Sequence, residues 1–493
     1  MYNIFILWRL FEKTSLKGDK MRNCKVVSGV ILLVCVSSTV LGKTITIGQN
    51  FTGSTYGVDS FFIPPDTMGG VGQTYLVELI NGRYSVYRKS DGVRVQTSSL
   101  NQFWTNTGVS YSGFTFDPRV IYDRFSSRWF AVAVDNPGAS NNFLVAVSNS
   151  SNPTGGWTGF AIDADSDNQQ WADFPTLGVD QAGVYVAANM FPTGFGSTYT
   201  HVLVLPKSDL LAGTPTVANA TLFESINPNN TGYSIQPVVD MGNTGLPVAL
   251  MSAYNVPSGW LKRSDITGTI NSPTLSTGGG FINITANPSP PDADQPGPKQ
   301  NIETNDARFS SFATLINGSI WAVDCVEDLG TGNAAIAWYE IRESDNALLQ
   351  QGLISDPVLD FFYPSIAVNP FGDVMIGFSG SDNVSTFVST YAILGETLGG
   401  VTTFGSPLLL QSGVADYLQL DSINRNRWGD YSATILDPTD PYTFWTFQEW
   451  VSGTDTWSTQ ITELQISSVI PEPVSGMLAL LGGIALLRIR RRG

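Results

Sequence analysis

The chain has very little of the chemistry on which many enzymes depend. It contains a single histidine, His201, among 493 residues, so Ser-His-Asp or Cys-His machinery would depend on that one side chain. His201 lies in the alternating stretch 199–205, which predicts a strand and favours a structural role. Zinc sites that need two or more histidines are excluded by the same count. The sequence also has no Walker-type or dinucleotide-binding glycine loop.

Cysteine and charge are scarce as well. Two of the three cysteines, Cys24 and Cys35, fall in an N-terminal segment that we expect to be removed, so a disulfide framework is excluded. The remaining Cys325 lies in the apolar run 321–326, which predicts a buried strand residue rather than a nucleophile. Only 14% of the residues are charged, and the net charge is −16. This balance disfavours nucleic acid and anionic lipid as partners and favours cations or neutral and basic surfaces.

Long amphipathic helical stretches are missing, whereas 49 glycines and 27 prolines indicate a protein with many turns. One phrase recurs, and its clearest copy, residues 362–374, is a Tyr-Pro corner, an alternating strand, a Gly-Asp turn and a second strand. Self-similarity with a period of about 60 residues is typical of stacked β-sheets, and it predicts an all-β fold, a β-propeller of seven blades. A single large β-sandwich is the alternative. The copies begin at Pro65, Asp117, Asp173, Gln236, Asp306, Phe362 and Trp428.

Two further patterns indicate how such blades are built and closed. Residues 119–122, 129–134 and 143–147 are β-branched and aromatic runs separated by turn residues, so we expect three strands of one blade. Residues 43–47 and 460–466 both alternate as strands, and their pairing within one blade would close the ring. The Pro-rich segment 287–298 predicts an exposed insertion, which either rims a binding surface or serves as a spacer.

The N-terminus has the build of a secretory signal peptide. Basic residues 20–25 precede the apolar run 26–36, with Met1 or Met21 as the start and cleavage before Lys43. A lipoprotein site at Cys35 is the alternative, although the bulky Val34 disfavours it. We therefore divide the chain into an N-terminal extension and signal peptide (1–42), a β-propeller domain (43–468) and a C-terminal sorting and anchor segment (469–493).

The C-terminal segment contains the most specific motif. Pro471-Glu472-Pro473 precedes the apolar run 474–487, and the basic residues Arg488, Arg490, Arg491 and Arg492 follow it. This order resembles the PEP-CTERM sorting signal of exopolysaccharide-producing Gram-negative bacteria. The resemblance implies an exosortase as partner, cleavage near the Pro-Glu-Pro motif, transient anchoring in the inner membrane and delivery to the cell surface or extracellular matrix. A plain C-terminal membrane anchor is the alternative.

The body of the chain is similar to extracellular propeller proteins. The segments that carry this second resemblance are 65–72, 117–129 and 427–431, and they mark successive blades. The resemblance implies a fold rather than a function, because one fold can host many different sites.

One loop has the pattern of a metal site. Asp163, Asp165 and Asp167 alternate, and Asp173 follows, so their oxygens could converge on one calcium ion. The loop does not match an EF-hand, because its sixth position is Asn168 and not glycine. A plain acidic surface turn is the alternative.

Aromatic residues and carboxylates suggest two ways of engaging a glycan. Trp104, Trp157 and Trp260 lie in loop-like contexts and are the candidates for stacking on sugars. Asp430, Asp173 and Asp123 are the candidates for a glycosidase pair, since that chemistry needs only two carboxyl groups. The same aspartates also fit a role as turn or strand caps.

These patterns favour an exported, exosortase-sorted surface or matrix protein whose propeller binds exopolysaccharide or supports the matrix without enzymatic activity. The alternative is a carbohydrate-active enzyme that uses carboxylates at the propeller mouth. Carboxylates that converge at one end of the central channel would favour the enzyme. Loop tryptophans on one face would favour glycan binding, and neither feature would favour a structural spacer.

Overall fold

The computed structural model describes residues 42–467, which form 31 strands, three short α-helices and two 3₁₀ turns. The first strands are β1 (Thr44–Thr55), β2 (Gly69–Val71), β3 (Tyr75–Ile80), β4 (Arg83–Arg88), β5 (Arg94–Ser98), β6 (Thr115–Asp123), β7 (Arg128–Asp135), β8 (Asn142–Ser148), β9 (Trp157–Asp163) and β10 (Gln170–Val179). They are followed by β11 (Gly183–Pro192), β12 (Tyr199–Pro206), β13 (Thr221–Ile226), β14 (Gln236–Pro237), β15 (Val239–Asp240), β16 (Val248–Asn255), β17 (Trp260–Thr269), β18 (Ser272–Ser276), β19 (Phe281–Asn283) and β20 (Thr314–Ile316). The last are β21 (Ser319–Glu327), β22 (Ala334–Arg342), β23 (Leu348–Ile354), β24 (Asp360–Val368), β25 (Asp373–Ser381), β26 (Ser389–Leu398), β27 (Val401–Phe404), β28 (Leu408–Gln411), β29 (Ala433–Leu436), β30 (Thr443–Gly453) and β31 (Thr456–Ser467). The helices are α1 (Leu100–Asn106), α2 (Lys207–Leu210) and α3 (Pro228–Thr231), and the 3₁₀ turns are Pro153–Gly155 and Val256–Ser258.

Both predicted terminal signals fall outside the described residues. Nearly all of the signal peptide lies before residue 42, and the Pro-Glu-Pro motif with its apolar run and arginines lies after residue 467. Within residues 42–467, no helix has the length and apolar character needed to cross a membrane.

The strands form seven sheets, which are the seven blades of a β-propeller. Blade 1 contains β2–β5, blade 2 contains β6–β9, blade 3 contains β10–β13, and blade 4 contains β14 and β16–β19. Blade 5 contains β15 and β20–β23, blade 6 contains β24–β28, and blade 7 contains β29, β30, β31 and β1. Strand β2 contacts β6, β6 contacts β10, and β10 contacts both β14 and β15. On the other side of the ring β15 contacts β20, β20 contacts β24, β24 contacts β29, and β29 contacts β2. These inner strands therefore surround one axis, which confirms the predicted propeller.

The predicted closure of the ring is also confirmed. Strand β1 pairs antiparallel with β31, with Thr44 opposite Ser467 and Phe51 opposite Ile461. The N-terminal strand of the described region thus completes the last blade, and backbone hydrogen bonds hold the ring shut.

The blades are buried on both faces because each packs between two others. In β7, seven of the eight residues are buried, and only Arg128 is half-buried. Such strands are near-continuous apolar runs rather than alternating ones. The three strands expected between residues 119 and 147 are β6, β7 and β8.

The repeated phrase corresponds to a bulge on the inner strands. Asp117, Phe174 and Tyr363 have φ angles of 51°, 52° and 48°, and each precedes a proline. At these points β6, β10 and β24 each contain one residue more than the partner strand. A bulge of this kind re-aims a side chain. The repeat therefore changes the direction of a side chain at the same level of several blades.

The Pro-rich segment differs from its predicted exposed form. Ala293 and Ile302 are fully buried and share a backbone bridge, and Gln295 exchanges two hydrogen bonds of 2.8 Å with the backbone of Tyr417. The segment is packed because its backbone and amide groups find partners in blade 6 and in the segment between β28 and β29. Its continuation, residues 303–308, reaches the end of the channel where the inner strands begin.

Candidate functional site

The two ends of the central channel differ in polarity. Where the inner strands end, Val71, Val179 and Val368 help to line an apolar cavity of about 70 Å³. Asp123, one of the predicted carboxylates, belongs to this end, and its carboxylate lies 3.0 Å from the ammonium of Lys207. Asp123 is thus separated from the other two predicted carboxylates.

The opposite end, where the inner strands begin, is rich in charge. We call it the polar mouth, and it consists of Asp66, Asp117, Asp173, Asp430, Glu303, Asp306, Arg119, Arg308 and Arg427. Its four aspartates other than Asp306 come from blades 1, 2 and 3 and from the segment that leads into blade 7. Each lies at or just before the start of an inner strand, so the repeated phrase determines their convergence.

Two of these aspartates connect neighbouring blades. Asn81 donates a 2.8 Å hydrogen bond to the Asp66 carboxylate and accepts one of the same length from the backbone N–H of Asp117. The Asp117 carboxylate accepts a 3.0 Å bond from the N–H of Phe174. Burial raises the pKa of Asp66 well above its usual value, and the charges of Asp430 and Asp117 raise it further. Since Asp66 and Asp117 are almost completely buried, we assign them a structural role.

Asp430 is an ionised carboxylate that remains reachable. Arg427 donates to it at 2.7 Å and Asn305 at 3.0 Å, while 16% of its side chain stays exposed. Burial acts to raise the pKa of Asp430, but the guanidinium groups of Arg427 and Arg308 outweigh it and lower the pKa below its usual value.

The pKa of Asp173 shifts in the opposite direction. Asp173 is half-buried on β10, and burial raises its pKa well above the usual value. The charges of Asp117 and Asp430 raise it further. The polar mouth thus holds two reachable carboxyl groups, one favouring its protonated and one its ionised form. When the surroundings raise the pKa of one carboxyl group and lower that of another, the first is suited to act as a general acid and the second as a base.

Arginines hold this arrangement together. Arg427 bridges Asp430 at 2.7 Å and Glu303 at 2.9 Å. The guanidinium of Arg308 pairs with Asp306 at 2.7 Å and lies 5.0 Å from the Phe174 ring. These contacts keep positive charge near Asp430 at a fixed position.

A cleft of about 420 Å³ adjoins the polar mouth. Asp306 and Arg308 form part of its wall, together with Asn189, Tyr233 and Tyr254. Tyr233 is 51% exposed. The volume lies within the range of about 300–1,000 Å³ that is usual for ligand pockets. The cleft thus has aromatic and polar groups in its wall and joins the polar mouth at Asp306 and Arg308.

The three predicted sugar-stacking tryptophans have different positions. Trp104 lies in α1 and is fully buried, and Trp157 lies in β9 and is 8% exposed. Both pack edge-on against Phe103, so the prediction that they contact a ligand is wrong. Trp260 is 37% exposed, and its ring lies 6.0 Å from Phe281. Phe281 in turn lies 5.2 Å from Tyr254 in the cleft wall.

The four aspartates predicted to hold calcium do not assemble around one position. Asp165 accepts two 2.7 Å hydrogen bonds from backbone N–H groups, and Asp163 and Asp167 accept others from the same loop at 3.2 and 3.1 Å. Asp173 belongs to the polar mouth instead. The chain enters β10 at Gln170, and the extended strand carries Asp173 away from the loop. This arrangement corrects the predicted site.

Sequence reasoning missed most of the polar mouth. Asp66 and Asp117 stand in copies of the repeated phrase, and that repetition was the available signal. Arg308 also stands in such a copy, the one that begins at Asp306, whereas Glu303 comes from the irregular segment before it, which has no pattern that relates it to the mouth.

The comparisons with known proteins do not assign the chain to a family. No family model matches the chain, and no curated protein sequence matches it. Among solved structures it is similar to an endo-arabinase from Bacteroides thetaiotaomicron, with 11% identity, coverage of 74% of this chain and 99% of that one, and a TM-score of 0.31. It is also similar to a sialidase from Trypanosoma rangeli bound to the inhibitor DANA (11% identity, 88% and 62% coverage, TM-score 0.36). A third match is the WD40 domain of SCAP from fission yeast (8% identity, 80% and 79% coverage, TM-score 0.35).

Proposed function

We propose that the polar mouth cleaves glycosidic bonds, with Asp173 as the general acid and Asp430 as the base or nucleophile. The observation that carries this proposal is the opposite direction of two pKa shifts on two reachable carboxyl groups in one mouth. The sequence alone favoured a binding role, but convergence of carboxylates at one end of the channel was the feature that would favour an enzyme.

The chemistry follows from the two protonation states. The protonated Asp173 gives its proton to the glycosidic oxygen of the leaving sugar. The ionised Asp430 either removes a proton from an attacking water molecule or attacks the anomeric carbon itself. Arg427 and Arg308 keep Asp430 ionised. Their charges also stabilise the carboxylate that Asp173 becomes once it has given its proton to the leaving sugar.

The adjoining cleft combines aromatic and polar groups, which fits a sugar chain better than a purely apolar ligand. Tyr233 and Tyr254 present aromatic faces, and the exposed Asn255 presents an amide group. Sugars are bound by this combination, because their C–H faces pack on rings and their hydroxyl groups exchange hydrogen bonds with amides.

The place of action belongs to the same proposal. The N-terminal signal sequence and the PEP-CTERM-like tail support export, exosortase processing and release at the cell surface. At that location, extracellular polysaccharide is the class of substrate that the protein would encounter. The acidic body is compatible with a neutral polymer and disfavours nucleic acid.

A second candidate function is glycan binding without cleavage. The exposed Trp260 and Phe281 and the half-buried Tyr254 form an aromatic series that leads to the cleft, and such a series could bind a polymer by itself.

Hydrolysis of a panel of neutral and acidic polysaccharides, measured as released reducing ends, separates the two functions. We expect release by the wild-type protein and by the control Asp345→Asn, which changes an exposed carboxylate in the β22–β23 turn. We expect Asp430→Asn to lose at least about 100-fold in rate while it still binds the polymer. Binding without release by the wild-type protein would support the second function instead.

A further inference from the structure

A second polar cluster lies in blade 3. It joins Asp165 of the loop between β9 and β10, His201 of β12 and Glu224 of β13. One potential ligand atom from each side chain lies within 4.8 Å of the other two. Asp165 and His201 are buried, and Glu224 is half-buried. One loop and two strands therefore bring one imidazole and two carboxylates together.

The hydrogen bonding of His201 leaves one of its two ring nitrogens without a partner among the described residues. Nδ1 of His201 lies 2.8 Å from the backbone carbonyl oxygen of Ala164, and because a carbonyl only accepts, Nδ1 carries the proton. Nε2 then presents a lone pair. The side chain is fully buried, and among residues 42–467 Nε2 has no hydrogen-bond partner. A buried nitrogen of this kind is costly unless something binds it.

The two carboxylates have free capacity to bind a cation. Asp165 accepts two backbone N–H groups through one oxygen, and Glu224 accepts the N–H and hydroxyl of Ser166 at 2.7 and 2.9 Å. Each carboxylate has about four lone-pair positions, so both can still bind a cation. Ser225, with φ of 53°, lies beside Glu224 where β13 bulges opposite β12.

We propose that His201, Asp165 and Glu224 form a binding site for a divalent transition-metal ion such as Zn²⁺, with Nε2 of His201 as the nitrogen ligand. Calcium takes oxygen ligands, whereas an imidazole with carboxylates suits zinc and its neighbours. The bond from Nδ1–H to a backbone carbonyl is the arrangement that orients metal-binding histidines. Bound there, the ion links the loop before β10 to two outer strands of the same blade.

The single histidine makes this proposal directly testable. In the full chain, prepared without a polyhistidine tag, the imidazole signals in a ¹H–¹⁵N NMR spectrum all belong to His201. We expect added Zn²⁺ to shift the Nε2 signal and to bind one ion per chain in equilibrium dialysis. Ring signals that do not move, with no bound zinc, would overturn the proposal.

A matched pair of variants tests the ligand set. Glu224→Gln removes a ligand from a half-buried position, and we expect it to weaken zinc binding by at least about tenfold. Glu327→Gln makes the same change at a half-buried position at the end of β21 and should leave binding unchanged. Equal zinc affinity in the two variants would overturn the assignment of Glu224, and the NMR titration of the wild-type protein decides the site even if one variant does not fold.

Discussion

At the scale of single residues, Asp173 and Asp430 illustrate how one mouth can hold two protonation states. Both carboxyl groups are partly removed from water, which alone would raise both pKa values. Asp430 differs because Arg427 touches it and Arg308 lies near it. For Asp173, burial raises the pKa first, the charges of Asp117 and Asp430 raise it further, and the opposing effect of Arg308 and Arg427 is smaller. Burial acts on both groups in the same direction, so the difference between their pKa shifts comes from the neighbouring charges.

The pH dependence of hydrolysis follows from these shifts. As pH falls through the lowered pKa of Asp430, that group gains a proton and the rate should fall. As pH rises through the raised pKa of Asp173, that group loses its proton and the rate should fall again. Initial rates measured across pH should give a bell-shaped profile, and a rate that rises steadily with pH would contradict the assignment of Asp173.

Glu449 gives a prediction about stability. It is buried on β30, burial raises its pKa well above the usual value, and one of its oxygens has no partner among the described residues. A carboxyl group with a raised pKa in the folded state costs no stability below its unfolded pKa. It costs about 1.4 kcal/mol for each pH unit above that value until the folded pKa is reached.

Glu449→Gln should therefore raise the free energy of unfolding at neutral pH, and the gain should vanish below about pH 4. Urea unfolding at both pH values measures this difference. A gain that is the same at both pH values would indicate a packing effect and not a proton.

At the scale of elements, the inner strands need close backbone approach. A Cβ atom on Gly69 of β2 would lie 2.3 Å from the ring of Phe447 on β30, so blade 1 and blade 7 meet where there is room only for glycine. The same gap lets the inner strands converge tightly enough to form the polar mouth.

We expect Gly69→Ala to lower the free energy of unfolding by about 1–3 kcal/mol, because the added methyl group overpacks this contact. Gly213→Ala is the control, since a Cβ atom there has no heavy atom within 4 Å. Chemical denaturation of both variants measures the effect, and equal stabilities would show that the two blades can move apart freely.

The bulges show how far sequence reasoning reaches at this scale. Repeated Asp-Pro, Phe-Pro and Tyr-Pro corners predicted where blades begin, since proline and its preceding residue restrict the backbone. Trp104 could not be placed in the same way. The short helix α1 has no sequence period long enough to be recognised. Trp104 packs against Phe103 of the same helix, and Phe103 contacts Trp157 of β9, so the burial depends on a strand that is distant in sequence.

At the scale of the whole molecule, ring closure depends on β1. This strand supplies an edge of blade 7, and Ser54 near its end donates a 2.6 Å hydrogen bond to the buried Glu78 of blade 1. The first described strand thus connects the first and last blades.

A variant that begins at residue 56 should therefore melt at a lower temperature than one that begins at residue 42, because it exposes the edge of β31 and removes a partner of Glu78. Thermal unfolding followed by circular dichroism compares the two. Identical melting temperatures would show that β1 does not hold the ring.

Sequence self-similarity predicted the blade count, and the alternating patterns of residues 43–47 and 460–466 predicted the closure. The sequence could not predict which side chains share a mouth, because that depends on how the blades are rotated about the axis. Asp173 and Asp430 lie 257 positions apart in the chain, and only the closed ring brings them to the same mouth. Asp123 looked equivalent to them but lies at the other end of its strand.

The most direct test of the account compares two substrates of different leaving-group chemistry. A glycoside with an activated aryl leaving group needs no proton from the enzyme, whereas a polysaccharide does. We predict that Asp173→Asn loses activity on polysaccharide but keeps activity on the aryl glycoside, and that Asp430→Asn loses both. Equal loss on both substrates in Asp173→Asn, or full activity in Asp430→Asn, would contradict the assignment of the two carboxyl groups.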